Sequence, residues 1–182
     1  MIFKIKWFIS AIFLSLFLKS IKFPSFFAFP LFFKGLRNVS VGRHVRIFPG
    51  GRFETHGNGI IILEDDVSIA QNVHITSGAR LVVGEGSLIT ANVYITSIDH
   101  QYQNIGISVP RQDLICKDTI IGRNCFIGMG VAIQAGTILG EQCIVGANSV
   151  VRGHFPDFCV IAGAPAKIVK MYNKDSGEWE RV

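Results

Sequence analysis

No Asp or Glu occurs before Glu54, although nine of the 18 Lys and Arg residues do: Lys4, Lys6, Lys19, Lys22, Lys34, Arg37, Arg43, Arg46 and Arg52. The other nine share the rest of the chain with all 13 acids, so the formal net charge of +5 arises in the N-terminal third. That segregation is not the footprint of a nucleic-acid binder, and no helix-turn-helix, zinc-finger or aromatic stacking motif is present. Cysteine is scarce. Cys116, Cys125, Cys143 and Cys159 match no zinc or redox spacing and predict free, buried thiols. No apolar run approaches the roughly 20 residues that a helix needs to cross a bilayer. Trp7–Leu18 is closed in by Lys6 and Lys19, and Phe23–Phe33 is interrupted by Pro24 and Pro30.

Phenylalanine is abundant and crowded: ten of 15 lie before residue 34. No small-x-small cleavage site follows the first apolar run, so a secretory leader is not indicated. Two readings of residues 1–36 stay open. They form a hydrophobic, basic, helical segment that lies on the inner face of a membrane, where Lys meets anionic lipid. Alternatively, the segment packs on the rest of the protein or on a partner subunit. A chain of 182 residues suits one domain beside such an appendage.

Aliphatic residues recur every six positions. Leu63, Ile69, Ile75 and Leu81 form one run, and Val83, Ile89 and Ile95 another. The cleanest is Ile121, Ile127, Ile133, Leu139, Val145 and Val151, read as IGRNCF, IGMGVA, IQAGTI, LGEQCI and VGANSV. A period of six fits neither a helix nor an amphipathic strand. A short strand plus a turn fits it, and three such units close an 18-residue triangular coil. Stacked coils pair in parallel about 4.8 Å apart. Ile121 then lies over Leu139, Ile127 over Val145 and Cys125 over Cys143, with Gly at the second position easing the turn. His56 and His74, 18 apart, are expected to stack on adjacent coils.

These units, with the terminal run Gly163-Ala164-Pro165-Ala166-Lys167, resemble the hexapeptide-repeat acyltransferases over roughly residues 39–170. The nearest likeness is to galactoside and maltose O-acetyltransferases and to the O-acetyltransferases of polysaccharide assembly. The resemblance implies an all-β, left-handed parallel β-helix at 37–170, wound against the usual crossover rule. It also implies a homotrimer with active sites between subunits. Residues 171–182 are expected to form a tail that caps the last coil.

The rhythm breaks between Ile95 and Ile120, giving a loop at about 97–119 that contains Asp99 and His100. Loops that leave a regular scaffold often carry function. In the resembling enzymes a His at this point is the catalytic base, which assigns that role to His100. An imidazole with a pKa near 6.5 can take the proton of a sugar hydroxyl as it attacks a thioester, then return it to the departing thiolate. Asp99 is expected to steer His100, and Asn72 and His74 to face the acceptor. The resembling sugar enzymes carry Asn where this chain has Ala70, which leaves the acceptor open. Resemblance places acetyl-CoA along the C-terminal coils, at Met129, Ala147 and Arg152, with Lys167 and Lys170 near its phosphates. No metal is called for, and no phosphate-loop motif occurs.

The expected activity is therefore acetyl-CoA-dependent O-acetylation of a sugar in surface polysaccharide or glycan biosynthesis, in the cytoplasm or at the inner membrane face. N-acetylation of an amino sugar and a non-catalytic repeat scaffold remain as alternatives. A γ-carbonic-anhydrase-like lyase needs histidine pairs five apart, and the five histidines here are spaced otherwise. The large helical N-terminal domain of serine acetyltransferases is missing too.

Overall fold

The computed structural model describes residues 2–182. The chain winds into a parallel β-helix of seven turns, whose strands stack into three sheets. Sheet I has seven strands, from Ser20–Ile21 to His154–Phe155. Sheet II begins at Phe26–Phe27 and has nine, the last two antiparallel. Sheet III has six, from Phe32–Lys34 to Val150–Val151.

The six-residue rhythm does what the sequence demands. Ile121 pairs in register with Leu139, Ile127 with Val145 and Ile133 with Val151, and all six side chains are buried. The 18-residue coil, however, is local. Along sheet II the register advances 20 residues from Phe26 to Arg46 and 22 from Arg46 to Ser68. It then advances 20 from Ser68 to Leu88, 18 from Phe126 to Ile144 and 16 from Ile144 to Val160. Extra corner residues in the early coils account for the longer steps. His56 therefore does not stack on His74; the rung below His74 is Arg52.

The turn chemistry also differs from expectation. The left-handed backbone falls on the fourth residue of each hexapeptide, not the second: Asn124, Gly130, Gly136, Gln142 and Asn148 all have positive φ. Second-position glycines serve close approach instead. A Cβ at Gly122 would overlap the Gly140 carbonyl oxygen on the next coil.

The solenoid starts earlier than residue 37, and among the described residues the α-helix is confined to Ile2–Leu14 (α1). Ser20–Lys34 build a complete first coil, paired with the second at Ser20↔Ser40, Phe26↔Arg46 and Phe32↔Arg52. Ile21, Phe27 and Phe33 keep the six-residue step, but aromatics in place of aliphatics disguise it. Phe27 is buried against Phe53, ring centroids 5.3 Å apart and edge to face. Helix α1 closes the open end of the barrel. Ala11 and Leu14, with Leu18 just beyond the helix, join the core, and Trp7 meets Phe48 at 4.9 Å. Its opposite side, with Ile5, Ile9 and Ile12, is exposed. Among the described residues no helix is long and apolar enough to cross a membrane.

At the other end the boundary expected at residue 171 falls inside a strand. Ala166–Asn173 turns back antiparallel on Cys159–Gly163, and Glu178–Arg181 pairs with it, Tyr172 packing on Trp179.

Cys125 and Cys143 stack inside as their spacing requires, and Cys159 extends the column because the last coil is short. The Cys143 and Cys159 sulfurs lie 3.6 Å apart. The hydrogen bond with Cys143, and then burial, push the Cys125 thiol up. Burial, with Cys143 alongside, pushes Cys159 up to about 12, whereas the hydrogen bond with Cys125 brings Cys143 down to about 7. Thiolates are the reactive form, but a reagent must also reach the sulfur, and only Cys116 is exposed. An aromatic disulfide reagent at neutral pH should therefore titrate one fast thiol in the native protein and four after denaturation. Two or more fast native thiols would contradict the buried column.

Candidate active site

The break in the repeat is a β-hairpin. Ile98–His100 pairs antiparallel with Leu114–Cys116, and the ribbon leaves the corner between sheets III and I. Its root is locked by polar contacts. The Ser97 hydroxyl oxygen accepts from the N–H groups of Gly78 and Ala79, and the Thr119 hydroxyl donates to the Thr96 carbonyl at 2.9 Å. Near the tip, the Gln112 side-chain amide donates to the Ile107 carbonyl at 2.8 Å. The tip carries uncovered apolar side chains among polar ones: Tyr102, Ile105, Ile107 and Val109 are exposed, Ile105 completely, as is Leu114 on the returning strand.

His100 and Asp99 are neighbours on a strand and so point to opposite faces. Asp99 turns toward the coil. One carboxylate oxygen accepts from the Arg152 guanidinium at 3.2 Å, and the other accepts from the His100 backbone N–H at 2.9 Å. Asp99 thus acts on the hairpin backbone and on Arg152, not on the His100 imidazole. Asp99 and Arg152 line a cleft of about 230 Å³ with Tyr94, Thr96, Ile98, Gln134 and Ala135. His100 is exposed on the ribbon's other face.

Beside this cleft lies a second polar group on the outer surface of sheet III. Registry aligns Arg52, His74 and Tyr94 in one outward column and Glu54, Thr76 and Thr96 in the next. His74 Nε2 lies 2.8 Å from Glu54 Oε1 and 2.9 Å from the Thr76 hydroxyl, and its ring meets Tyr94 edge to face at 5.2 Å. His56 approaches the other Glu54 oxygen at 3.6 Å, and Lys34 Nζ approaches His56 at 3.4 Å. A carboxylate fixing one imidazole nitrogen leaves the other free for a ligand. Reading the sequence reached His74 but missed Glu54, Arg52 and Tyr94, because a 22-residue step brings the first two alongside and a 20-residue step the third, not the 18-residue step expected. Glu54, the first acid in the chain, was the available signal.

Asn72 is placed elsewhere. It turns the corner between sheets II and III with φ 57°, and its amide donates to Asn92 at 3.3 Å. That corner is at the far edge of sheet III from the hairpin. Met129 and Ala147 occupy the same corner. The Asn148 N–H donates to the Met129 carbonyl at 2.8 Å, and the Gly163 N–H donates to the Ser149 hydroxyl at 3.1 Å, continuing the column to the return strand. Lys167 and Lys170 lie on that strand, opposite Ala162 and Val160. Within one chain, then, Met129, Ala147 and Lys167 share one edge of sheet III, while Arg152 joins Asp99 and the hairpin at the other.

Comparison with known proteins agrees with this architecture. The model of the family described as bacterial transferase hexapeptide (six repeats) matches residues 118–153. The chain is 35% identical over 162 residues to the putative lipopolysaccharide biosynthesis O-acetyl transferase WbbJ of Escherichia coli (strain K12), covering 84% of this chain and 82% of that protein. It is 30% identical over 155 residues to a dTDP-4-amino-4,6-dideoxy-D-glucose acyltransferase of Escherichia coli, covering 82% and 80%. Among solved structures, a point mutant of AntD superposes with a TM-score of 0.77 at 14% identity, covering 92% of this chain and 91% of that one. AntD is an N-acyltransferase from Bacillus cereus, captured there with dTDP-4-amino-4,6-dideoxyglucose and coenzyme A.

Proposed function

The chain belongs to the hexapeptide-repeat acyltransferases, and from that premise we propose that it moves an acetyl group from acetyl-CoA to a sugar hydroxyl in surface polysaccharide or glycan assembly. The observation that carries this reading is the hairpin, which holds an exposed histidine at the one place where the solenoid is interrupted. His100 accepts the proton of the acceptor hydroxyl as its oxygen attacks the thioester carbonyl. Collapse of the tetrahedral adduct expels the CoA thiolate, which takes that proton back from the imidazolium. Such general-base help is worth about 10²–10⁴-fold. Asp99 and Arg152 brace the hairpin, while His74 supplies a fixed polar contact for the sugar.

The donor runs along the II–III corner past Met129 and Ala147, with Lys167 and Lys170 as point charges for the phosphates. His100 lies across sheet III from that corner. A neighbouring subunit that laid its hairpin on this corner would bring base and thioester together, and would also cover the apolar side chains of the tip. This supports a homotrimer with shared sites. The donor puts the chemistry in the cytoplasm.

The test is thiol release from acetyl-CoA in the presence of a panel of hydroxyl and amino sugars. Acceptor-dependent release with hydroxyl sugars is expected. N-acylation is the second reading, favoured by similarity to the amino-sugar acyltransferase, and release with amino sugars alone would establish it instead. Absence of acetyl-CoA binding in calorimetry would reduce the chain to a scaffold.

A further inference from the structure

The outer surface of sheet III changes character rung by rung. Registry places Phe32 on the first coil, Arg52 on the second, His74 on the third and Tyr94 on the fourth, all in one outward column. With rungs about 4.8 Å apart, Arg52, His74 and Tyr94 stand about 5, 10 and 14 Å above Phe32. The bottom of this column continues into an apolar end. Ile5, Ile9, Ile12, Phe13 and Leu16 are exposed on the outer side of the helical segment, Ile9 at 61% and Leu16 at 70%, and Leu31, Phe32 and Phe33 are exposed on the first coil. Cations flank it and no acid lies in the first 53 residues.

We propose that this end enters the headgroup region of an anionic bilayer, and that the column above it reads a sugar carried on a membrane-anchored polyprenyl diphosphate. The charge asymmetry selects the occupant. Contact with a second copy of the chain would bring two basic ends together, whereas anionic lipid neutralises them. Arg52, exposed one rung above the aromatic floor, meets the diphosphate through the charge-assisted hydrogen bonds guanidinium groups make with phosphate, with Lys34 a second cation on the rung below, in the next column. The neighbouring carboxylate, Glu54, is turned to His74 at 2.8 Å and makes no ion pair with Arg52 among the described residues, which leaves the guanidinium available to the anion. The sugar then falls between His74 and Tyr94, whose ring offers an apolar face, next to the cleft that Asp99 and Arg152 line. The proposal rests on the sugar acceptor argued above and names its carrier.

The experiment uses the full chain and three vesicle preparations: phosphatidylcholine alone, phosphatidylcholine with phosphatidylglycerol, and phosphatidylcholine with undecaprenyl diphosphate at matched charge. Sedimentation should show no binding to the first, salt-sensitive binding to the second and tighter binding to the third. The triple variant I9S/I12S/L16S, altered only at exposed positions, should lose binding to both charged preparations. Arg52→Ala should lower the preference for diphosphate over phosphatidylglycerol about fivefold, the order expected for one surface cation. Failure of the full chain to sediment with either charged preparation overturns membrane docking. Loss of the chain's oligomeric state in the triple variant also overturns it, because the face would then be a contact between copies. Equal binding to both charged preparations overturns the diphosphate site. None of these outcomes depends on acetyl transfer, so thiol release with soluble sugars tests the enzyme reading separately.

Discussion

Replacing His100 with alanine should lower kcat by about 10²–10⁴-fold while acetyl-CoA affinity and thermal stability stay unchanged. The separation follows from where the residue sits. His100 is exposed on a hairpin whose fold is set by strand pairing and by the Ser97 and Thr119 contacts at its root, none of which uses the imidazole. The donor edge proposed at Met129 and Ala147 is at the other side of sheet III, so the loss should appear in turnover and not in donor binding. Mixing the variant with Ala147→Trp, which fills the donor edge, supplies a second readout. If sites form between subunits, mixed oligomers recover activity that neither parent has. Near-wild-type kcat in His100→Ala would remove the base from the mechanism. Recovery of nothing on mixing would instead place each site within one chain.

Phe53→Ala should cost about 3–5 kcal/mol, the range for deleting a fully buried aromatic side chain. Phe53 has no exposed surface and packs edge to face on Phe27 of the first coil. Solenoids transmit stability between neighbouring coils, so the helix and first coil should loosen first. Hydrogen exchange would show protection lost across residues 20–34 before residues 121–151. At about 2–4 °C per kcal/mol for a chain of this size, the melting temperature should fall by roughly 10 °C. A drop of only a degree or two would mean that the first coil does not pack as described.

Both expectations draw on features that the sequence revealed unequally. The run from Ile121 to Val151 was legible because every unit repeats an aliphatic position at the same step, and period alone identifies a strand-and-turn coil. The first coil was not, since Phe27 and Phe33 replace aliphatics at the same step and two prolines suggest a break. In the structure Phe27 is simply a larger inward member of the sheet II column, and Phe33, exposed on the first coil, holds the register position of Phe53 in sheet III. At the site, His100 was visible because a histidine stood in the only long interruption. The Asp99–Arg152 pair spans 53 residues, and nothing local in the sequence joins them. The company Arg52 and Glu54 keep with His74 was hidden by the 22-residue second step: assuming a uniform 18-residue coil sets His56, not Arg52, beneath His74. Asn72 is a different case. An asparagine at a left-handed corner is favoured for its backbone tolerance alone, so its presence there does not by itself mark a polar site.

The plug at the first coil has a consequence for assembly. Stacked coils present unpaired backbone at a free end, which invites copies to add head to tail and grow without limit. Here a helix packs across the lower opening, and at the upper one the chain reverses to run antiparallel along sheet II. Head-to-tail growth through the covered lower end is thereby hindered, which leaves the flanks of the solenoid for association. Contact between flanks gives a ring of fixed number where the rotation between copies closes.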